Sequence, residues 1–245
     1  MFPSQPFDAR LVNVHRLTPS VRELIFERTD GAPFQFDPGQ WVNLVLPLPG
    51  GEIKRAYSIA SAPVAGSPRF ALAVTQVEGG PGSQYLHRMR EGQTLRAIGP
   101  QGLFTRGKDA PLPSLFIATG TGVTPFRSMI QSALTAAAAA PLWLLFGARF
   151  EEDILYRDEL ARWAAEHPQV RYEITLSRAT SDWTGRRGYV QEHASELVRE
   201  LRARSPDAEP HAYICGLDRM VSAVKDLLRN ELALPRKHVH TERYD

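Results

Sequence analysis

Cysteine is almost missing from this chain: Cys215 is the only one in 245 residues. A single thiol excludes an intrachain disulfide, a Cys-ligated iron–sulfur cluster and a Cys-rich zinc site. No metal centre is expected. One cysteine also fits a reducing compartment, so a cytoplasmic setting is expected. Long apolar runs are missing too. The longest, Leu134 to Ala148, contains Pro141 and is shorter than the ~20 residues a spanning helix needs. It reads as a helix end, a turn and a buried strand, with Ala136 to Ala140 as the helix end, and no membrane attachment is expected. Met1 to Arg10 lacks the apolar core of a signal peptide. A large charge of one sign is also absent. The formal net charge is +2, which gives no reason to expect a nucleic-acid partner.

What is present is ordinary material for a folded core. The 43% hydrophobic content is enough for one large domain or two modest ones. Texture changes near the middle. Up to about Phe104, short strand-like segments alternate with Gly and Pro turns: Val21 to Arg28, Trp41 to Leu46, Arg55 to Ile59, Arg69 to Val77. Evenly spaced short strands suggest a closed or nearly closed antiparallel barrel. Gln84 to Met89 reads as a short helix capped by Ser83. After a linker at 107–113, strands and helices alternate. Leu115 to Ala118, Leu142 to Phe146, Arg171 to Leu176 and Ala212 to Cys215 read as strands. Helices are expected from Pro125, over Asp153 to Ala165, Gln191 to Arg202 and Met220 to Leu228. That alternation implies a parallel sheet covered on both faces. The expected domains are therefore 1–106 and 114–245.

Three groups of residues point to chemistry. Thr119-Gly120-Thr121-Gly122-Val123-Thr124-Pro125 follows a strand and opens a helix. Glycines let backbone approach a pyrophosphate, and a helix start offers N–H groups and partial positive charge. Taken alone it is equally compatible with an ordinary tight turn. Arg55-Ala56-Tyr57-Ser58 offers a cation for a phosphate, a flat ring and a small hydroxyl. Gly80-Pro81-Gly82-Ser83 begins a second helix and a second anion site. Alone, Arg55 is more simply a surface charge and Tyr57 a core aromatic.

In this order and spacing the motifs resemble the ferredoxin–NADP reductase family over nearly the whole chain. Phe36 to Val42 resembles the strand that leads into the family's flavin site. Arg55 to Ser61 resembles its flavin signature. Gly80 to Ser83 resembles its flavin pyrophosphate loop. Gly99 to Phe104 resembles the barrel's closing segment. The Gly120 to Pro125 loop, Cys215-Gly216 and Glu242-Arg243-Tyr244 follow in order. The resemblance implies an antiparallel, Greek-key, FAD-binding β-barrel followed by an α/β Rossmann-like parallel-sheet NADP(H)-binding domain. It implies that Tyr57 stacks on the isoalloxazine and Ser58 hydrogen-bonds near its reactive nitrogen. Arg55, Ala56, Gly80, Gly82 and Ser83 would hold FAD. Cys215 would face the nicotinamide, Glu242 would polarise the site or relay a proton, and Tyr244 would gate the flavin face. Asp245 follows Tyr244, where several bacterial members have an aromatic, so no aromatic is expected there to stack on the FAD adenine.

A 2′-phosphate distinguishes NADPH from NADH, and cations at strand ends beyond the Gly-rich loop would read it. Arg149, Ser177, Arg178 and Arg186 stand in those places, as arginines do in bacterial members of the family. Trp183, Gly185, Gly188 and Val190 also resemble NADH-dependent reductases of oxygenase systems. With no cluster cysteines, the electron acceptor is expected to be a separate acidic carrier, ferredoxin or flavodoxin. Arg88, Arg90, Arg96 and Arg106 are candidates to steer it, and the chain is expected to be a monomer. Two other readings stand beside this one: the reductase component of an oxygenase system or a free-flavin reductase, and a non-catalytic nucleotide-binding subunit.

Overall fold

The structure is a computed structural model and describes residues 5–107 and 112–244. Lys108 to Pro111, in the expected linker, and Asp245 lie outside the described residues. Two compact units emerge: residues 1–106 with 124–136, and residues 107–123 with 137–245.

The first unit is a six-stranded antiparallel sheet. Its strands are β1 (Gln5–Arg16), β2 (Val21–Arg28), β3 (Trp41–Leu48), β4 (Gly51–Ser58), β5 (Arg69–Thr75) and β6 (Thr94–Gln101), in spatial order β4-β3-β6-β1-β2-β5. A bridge between Ile59, just past the end of β4, and Leu72 in β5 draws the sheet's two edge strands towards closure. One face fills a core of Phe7, Phe26, Phe34, Phe36 and Phe70 with Leu and Val from every strand but β4. Alternation in β2 and β5 drives this: a period-two pattern puts apolar residues on one face. Helix α1 (Pro81–Arg88) plugs that core with Leu86. It begins earlier than the sequence suggests, because Pro81 is preorganised for a first helical turn.

Helix α2 (Thr124–Thr135) belongs to this unit too, although the sequence assigns it to the second domain. Its side chains explain the placement. The Arg127 guanidinium donates to the Ala60 carbonyl at 2.9 Å, and the Ser128 hydroxyl to that of Ser61 at 2.7 Å. Gln131 Oε1 accepts from the Ala62 N–H at 3.0 Å. Arg127 also lies 3.5 Å from buried Glu23. The alanine run does not extend the helix. The chain turns at Ala136, and Ala137 takes φ 53°. Pro141 bars its predecessor from helical geometry, and the next strand must start at once.

The second unit is a six-stranded, all-parallel sheet. Its strands are β7 (Ser114–Thr119), β8 (Leu142–Ala148), β9 (Val170–Leu176), β10 (Arg186–Arg187), β11 (His211–Leu217) and β12 (Val239–Tyr244), in order β10-β9-β8-β7-β11-β12. Helices α3 (Arg157–Glu166), α4 (Gln191–Arg204) and α5 (Asp218–Asp226) connect them. Central β7 and β8 are almost wholly buried, as a sheet covered on both faces requires. Leu197, Val198 and Leu201 of α4, with Val221 and Val224 of α5, cover one face.

Candidate functional site

In the first unit the flavin motif lies on β4. Tyr57 pairs across from Val42 and Ser58 from Trp41 on β3. Side chains alternate along a strand, so Arg55 and Tyr57 share a face and Ser58 takes the other. Ser58 is buried, Tyr57 half-buried, Arg55 and Ala56 exposed. Burial pushes the Tyr57 phenol up to about 12, against a small opposing pull from Arg55. It stays a neutral, flat ring.

Arg55 lies against the start of α1. A Cβ placed on Gly82 would meet Arg55 Cγ at 3.3 Å and Leu46 Cδ1 at 3.1 Å. Glycine there lets the helix start sit against the arginine stem. A guanidinium beside helix N–H groups suits a pyrophosphate. Gly80 is the residue before the helix, and its φ is negative. Ser83 differs from expectation. Its hydroxyl does not cap α1. It accepts from the Val77 N–H and donates to the Gly80 carbonyl, both at 3.0 Å. Buried Ser83 therefore shapes the loop, and its side chain is already engaged.

In the second unit the Gly-rich segment leaves β7 as a short 3₁₀ turn, Gly120–Val123. Gly122 abuts the end of β11: a Cβ there would lie 2.6 Å from the Cys215 carbonyl carbon and 2.9 Å from the Gly216 nitrogen. Gly216 has φ 147° and lies against Thr119. The Thr119 Oγ1 is buried without a hydrogen-bond partner among the described residues. Unsatisfied buried hydroxyls are rare. One at the carboxyl end of a central parallel strand suits a polar ligand in the crevice beyond it. Thr121, beside it, is half-buried, while Thr124 opens α2 in the first unit.

Strand β11 runs two residues past Cys215, and β12 pairs with it so that Cys215 faces Glu242 and Leu217 faces Tyr244. Cys215 Sγ donates to Glu242 Oε2 at 3.9 Å. Burial, then the Glu242 charge, holds the thiol well above its ordinary value of 9.0, against a smaller pull from Tyr244. The group is a neutral thiol and not a nucleophile. The unfolded chain would release this proton near the ordinary value while the folded chain keeps it. Its contribution to stability is therefore full below that ordinary value and is lost as pH rises towards the raised one. Iodoacetamide at pH 8 is expected to label Cys215 far more slowly in the native chain than in denaturant, read by mass spectrometry; equal rates would contradict the buried thiol.

The three arginines divide. Arg149 and Arg178 are exposed, and no ion pair engages either among the described residues. They follow adjacent strands, and the Arg178 N–H donates to the Arg149 carbonyl at 2.9 Å. Ser177 hydrogen-bonds the Ala148 carbonyl from its N–H at 3.0 Å. The Arg178 guanidinium lies 5.9 Å from the Phe150 ring centre. Arg186 is occupied instead. It forks onto Glu196 at 2.7 and 2.8 Å and reaches Glu173 at 3.1 Å. The next residue, Arg187, is turned onto carbonyls of its own loop, Thr180 at 2.8 Å and Trp183 at 2.7 Å. Of the arginines expected to steer a carrier, Arg88 and Arg90 are exposed, and Arg96 is paired with Glu52 at 2.6 Å. No group of three or more His, Cys, Asp or Glu side chains could hold a metal among the described residues, and no helix among them is long and apolar enough to cross a membrane.

Comparison with known proteins agrees with this geometry. Residues 8–105 match a family model described as an oxidoreductase FAD-binding domain, and residues 116–226 one described as an oxidoreductase NAD-binding domain. Ferredoxin–NADP reductase B of Sorangium cellulosum is 67% identical over the full length of both chains. A glycine betaine monooxygenase reductase subunit of Pseudomonas aeruginosa is 34% identical over 90% of this chain, which spans 59% of that protein. The fold matches that of a ferredoxin–NADP⁺ reductase from Plasmodium falciparum solved with 2′P-AMP, at TM-score 0.80 and 24% identity over 98% of this chain and 97% of that one. A cytochrome P450 reductase from Amycolatopsis aligns at TM-score 0.84 and 24% identity over 99% of this chain and 71% of that one. The expected barrel, the parallel-sheet domain and the FAD and nicotinamide cofactors are borne out. This chain is an FAD-dependent oxidoreductase that belongs to the ferredoxin–NADP reductase family.

Proposed function

We infer that this chain carries electrons between NADPH and ferredoxin, or a similarly acidic one-electron carrier such as flavodoxin. One observation supports the choice of NADPH above the rest. Arg149 and Arg178 stand side by side at the carboxyl ends of β8 and β9, charged, exposed and engaged in no ion pair among the described residues. An NADH site would favour an acidic group on the ribose instead.

FAD, when bound, takes a hydride's two electrons together and gives them up singly. The protein's own part is orientation. Arg55 and the start of α1 would grip the pyrophosphate, and the neutral Tyr57 ring would lie on the isoalloxazine. Buried Ser58 would hydrogen-bond near the reacting nitrogen. The Cys215 thiol, kept protonated, would offer an uncharged surface to the nicotinamide. The Glu242 carboxylate would polarise the site or relay a proton, and Tyr244 would cover the ring position that nicotinamide must take. The single cysteine in the sequence means that this chain supplies no Cys-ligated cluster of its own. A separate carrier follows, and exposed Arg88 and Arg90 would attract an acidic one in a salt-dependent way.

Arg55→Ala should weaken FAD by roughly tenfold to a hundredfold, the loss of one charge-assisted contact. Flavin released on gel filtration measures it, and full retention would remove Arg55 from the flavin site. The wider reading is tested by the reductant that drives ferredoxin reduction. NADPH should be strongly preferred over NADH. A preference for NADH would favour an oxygenase reductase component, the reading that Trp183, Gly185 and the Pseudomonas aeruginosa relative support.

A further inference from the structure

We propose that Arg186 and Glu196 form a positioning pair that holds the 2′-phosphate-reading loop in shape, and that Arg186 is not itself a phosphate ligand. This rests on the NADPH reading above.

The loop starts at Ser177–Arg178, where β9 ends, and finishes at Arg186, where β10 begins. Two short β10 residues, Arg186 and Arg187, pair in parallel with Thr175 and Leu176. Two residues of ladder are a weak anchor on their own. The side chains supply the rest. Arg186 binds Glu173 on β9 and Glu196 on α4, so one guanidinium joins strand, loop end and helix. Its side chain is only 18% exposed. The Arg186 guanidinium pulls the Glu196 carboxyl down to about 2, so the pair is fully ionised at neutral pH. Glu173 is also held from its other side by Arg171 at 2.7 Å. His193 Nδ1 lies 3.4 Å from the same guanidinium, and its Nε2 lies 2.8 Å from the Arg187 carbonyl.

The rest of the loop closes on this anchor. The Trp183 indole N–H donates to the Arg186 carbonyl at 2.9 Å, and its ring lies where a Cβ on Gly185 would be. Arg187 donates to the carbonyls of Thr180 at 2.8 Å, Ser181 at 3.2 Å and Trp183 at 2.7 Å. The Thr175 hydroxyl donates to the Gly188 carbonyl at 2.9 Å. Two arginines are thus engaged inside the loop, and Arg178 is left at its rim. Reaching a phosphate would require Arg186 to leave a bidentate carboxylate, the strongest kind of side-chain ion pair. A loop ordered in advance presents Arg178 without the entropic cost of ordering it on binding.

Glu196→Gln separates the two roles by sign. A phosphate-binding Arg186 would be freed by this change, and a competing anion removed, so KM for NADPH would fall. A positioning pair would be broken. KM for NADPH should then rise about fivefold, the scale of one partly exposed ion pair. The NADPH-to-NADH selectivity should fall with it, while kcat with NADH and the melting temperature stay close to wild type. A merely structural pair would move the melting temperature and leave the selectivity. Arg186→Gln loses the Glu173 contact as well, so its effect should equal or modestly exceed that of Glu196→Gln, and the double variant should do no more than Arg186→Gln, because the Arg186–Glu196 contact is already gone. A fall or no change in KM for Glu196→Gln, or a much larger NADPH-specific loss in Arg186→Gln, overturns the proposal. Arg178→Ala is measured in parallel. If it keeps its selectivity, the NADPH reading fails and the positioning role with it. If Arg178→Ala loses selectivity while Glu196→Gln keeps it, the positioning role alone fails.

Discussion

Replacing Arg149 and Arg178 together by alanine should lower kcat/KM for NADPH about a hundredfold or more and leave NADH turnover nearly unchanged. The size follows from the two charged hydrogen-bond donors removed. A hydrogen bond to a charged group contributes roughly 1.5–3 kcal/mol. Two exposed donors at the low end of that range give about 3 kcal/mol, or about two factors of ten. NADH has no 2′-phosphate and should not sense the change. The structure gives no reason to expect lower stability, since both side chains are exposed and engaged in no ion pair among the described residues. Steady-state kinetics with both nucleotides decides it. Equal losses with both would mean that the arginines act on the shared part of the cofactor, and the NADPH assignment would lose its main support.

Gly122→Ala should be nearly as damaging, by another route. Its added Cβ would lie 2.6 Å from the Cys215 carbonyl carbon and 2.9 Å from the Gly216 nitrogen. Both belong to backbone at the end of a central strand, which cannot step aside as a flexible side chain could. Overpacking of this kind costs roughly 1–3 kcal/mol, and here it falls on the loop that would cradle the nicotinamide pyrophosphate. Affinity for NADP⁺ should drop by about tenfold to a hundredfold. FAD content should not change, because the flavin motif lies in the first unit. Gly120 supplies the contrast. It has φ 54°, and nothing lies within 4 Å of the place its Cβ would take, so Gly120→Ala meets only backbone strain of about 1–2 kcal/mol. Titration with NADP⁺, followed by the flavin's absorption change, ranks the two. A harmless Gly122→Ala would show that the loop is not held against β11.

Most of the fold could be read from the chain because local chemistry and tertiary structure agree there. Phe70, Leu72 and Val74 recur with period two and lie in a strand, Arg69–Thr75, and Val21 to Arg28 is a strand with the expected bounds. The glycines at 120 and 122 follow a buried apolar strand, and the close approach to β11 explains why one of them has no Cβ. What escaped was set by partners distant in sequence. Strand β12 reads Val-His-Thr-Glu-Arg-Tyr, with no apolar period to announce it; its ladder with β11 defines it. The Ala136 to Ala140 run has high helix propensity, but the turn before Pro141 overrides it. Ser83 looks like a helix cap from its neighbours, yet its hydroxyl binds Val77, six residues away. Arg186 sits in the right motif for a phosphate. Its partners lie thirteen and ten residues off, at Glu173 and Glu196, and no local pattern marks them. The rule that arginines after these strands meet phosphate therefore picks out candidates, and the packing around each decides which are available.

The most direct test of the whole account is anaerobic. The purified chain should carry a yellow flavin, identified as FAD after release. One equivalent of NADPH should bleach its visible band, and oxidised ferredoxin should then restore it. A colourless chain, or a bound flavin that NADPH leaves oxidised, would contradict the account at its centre.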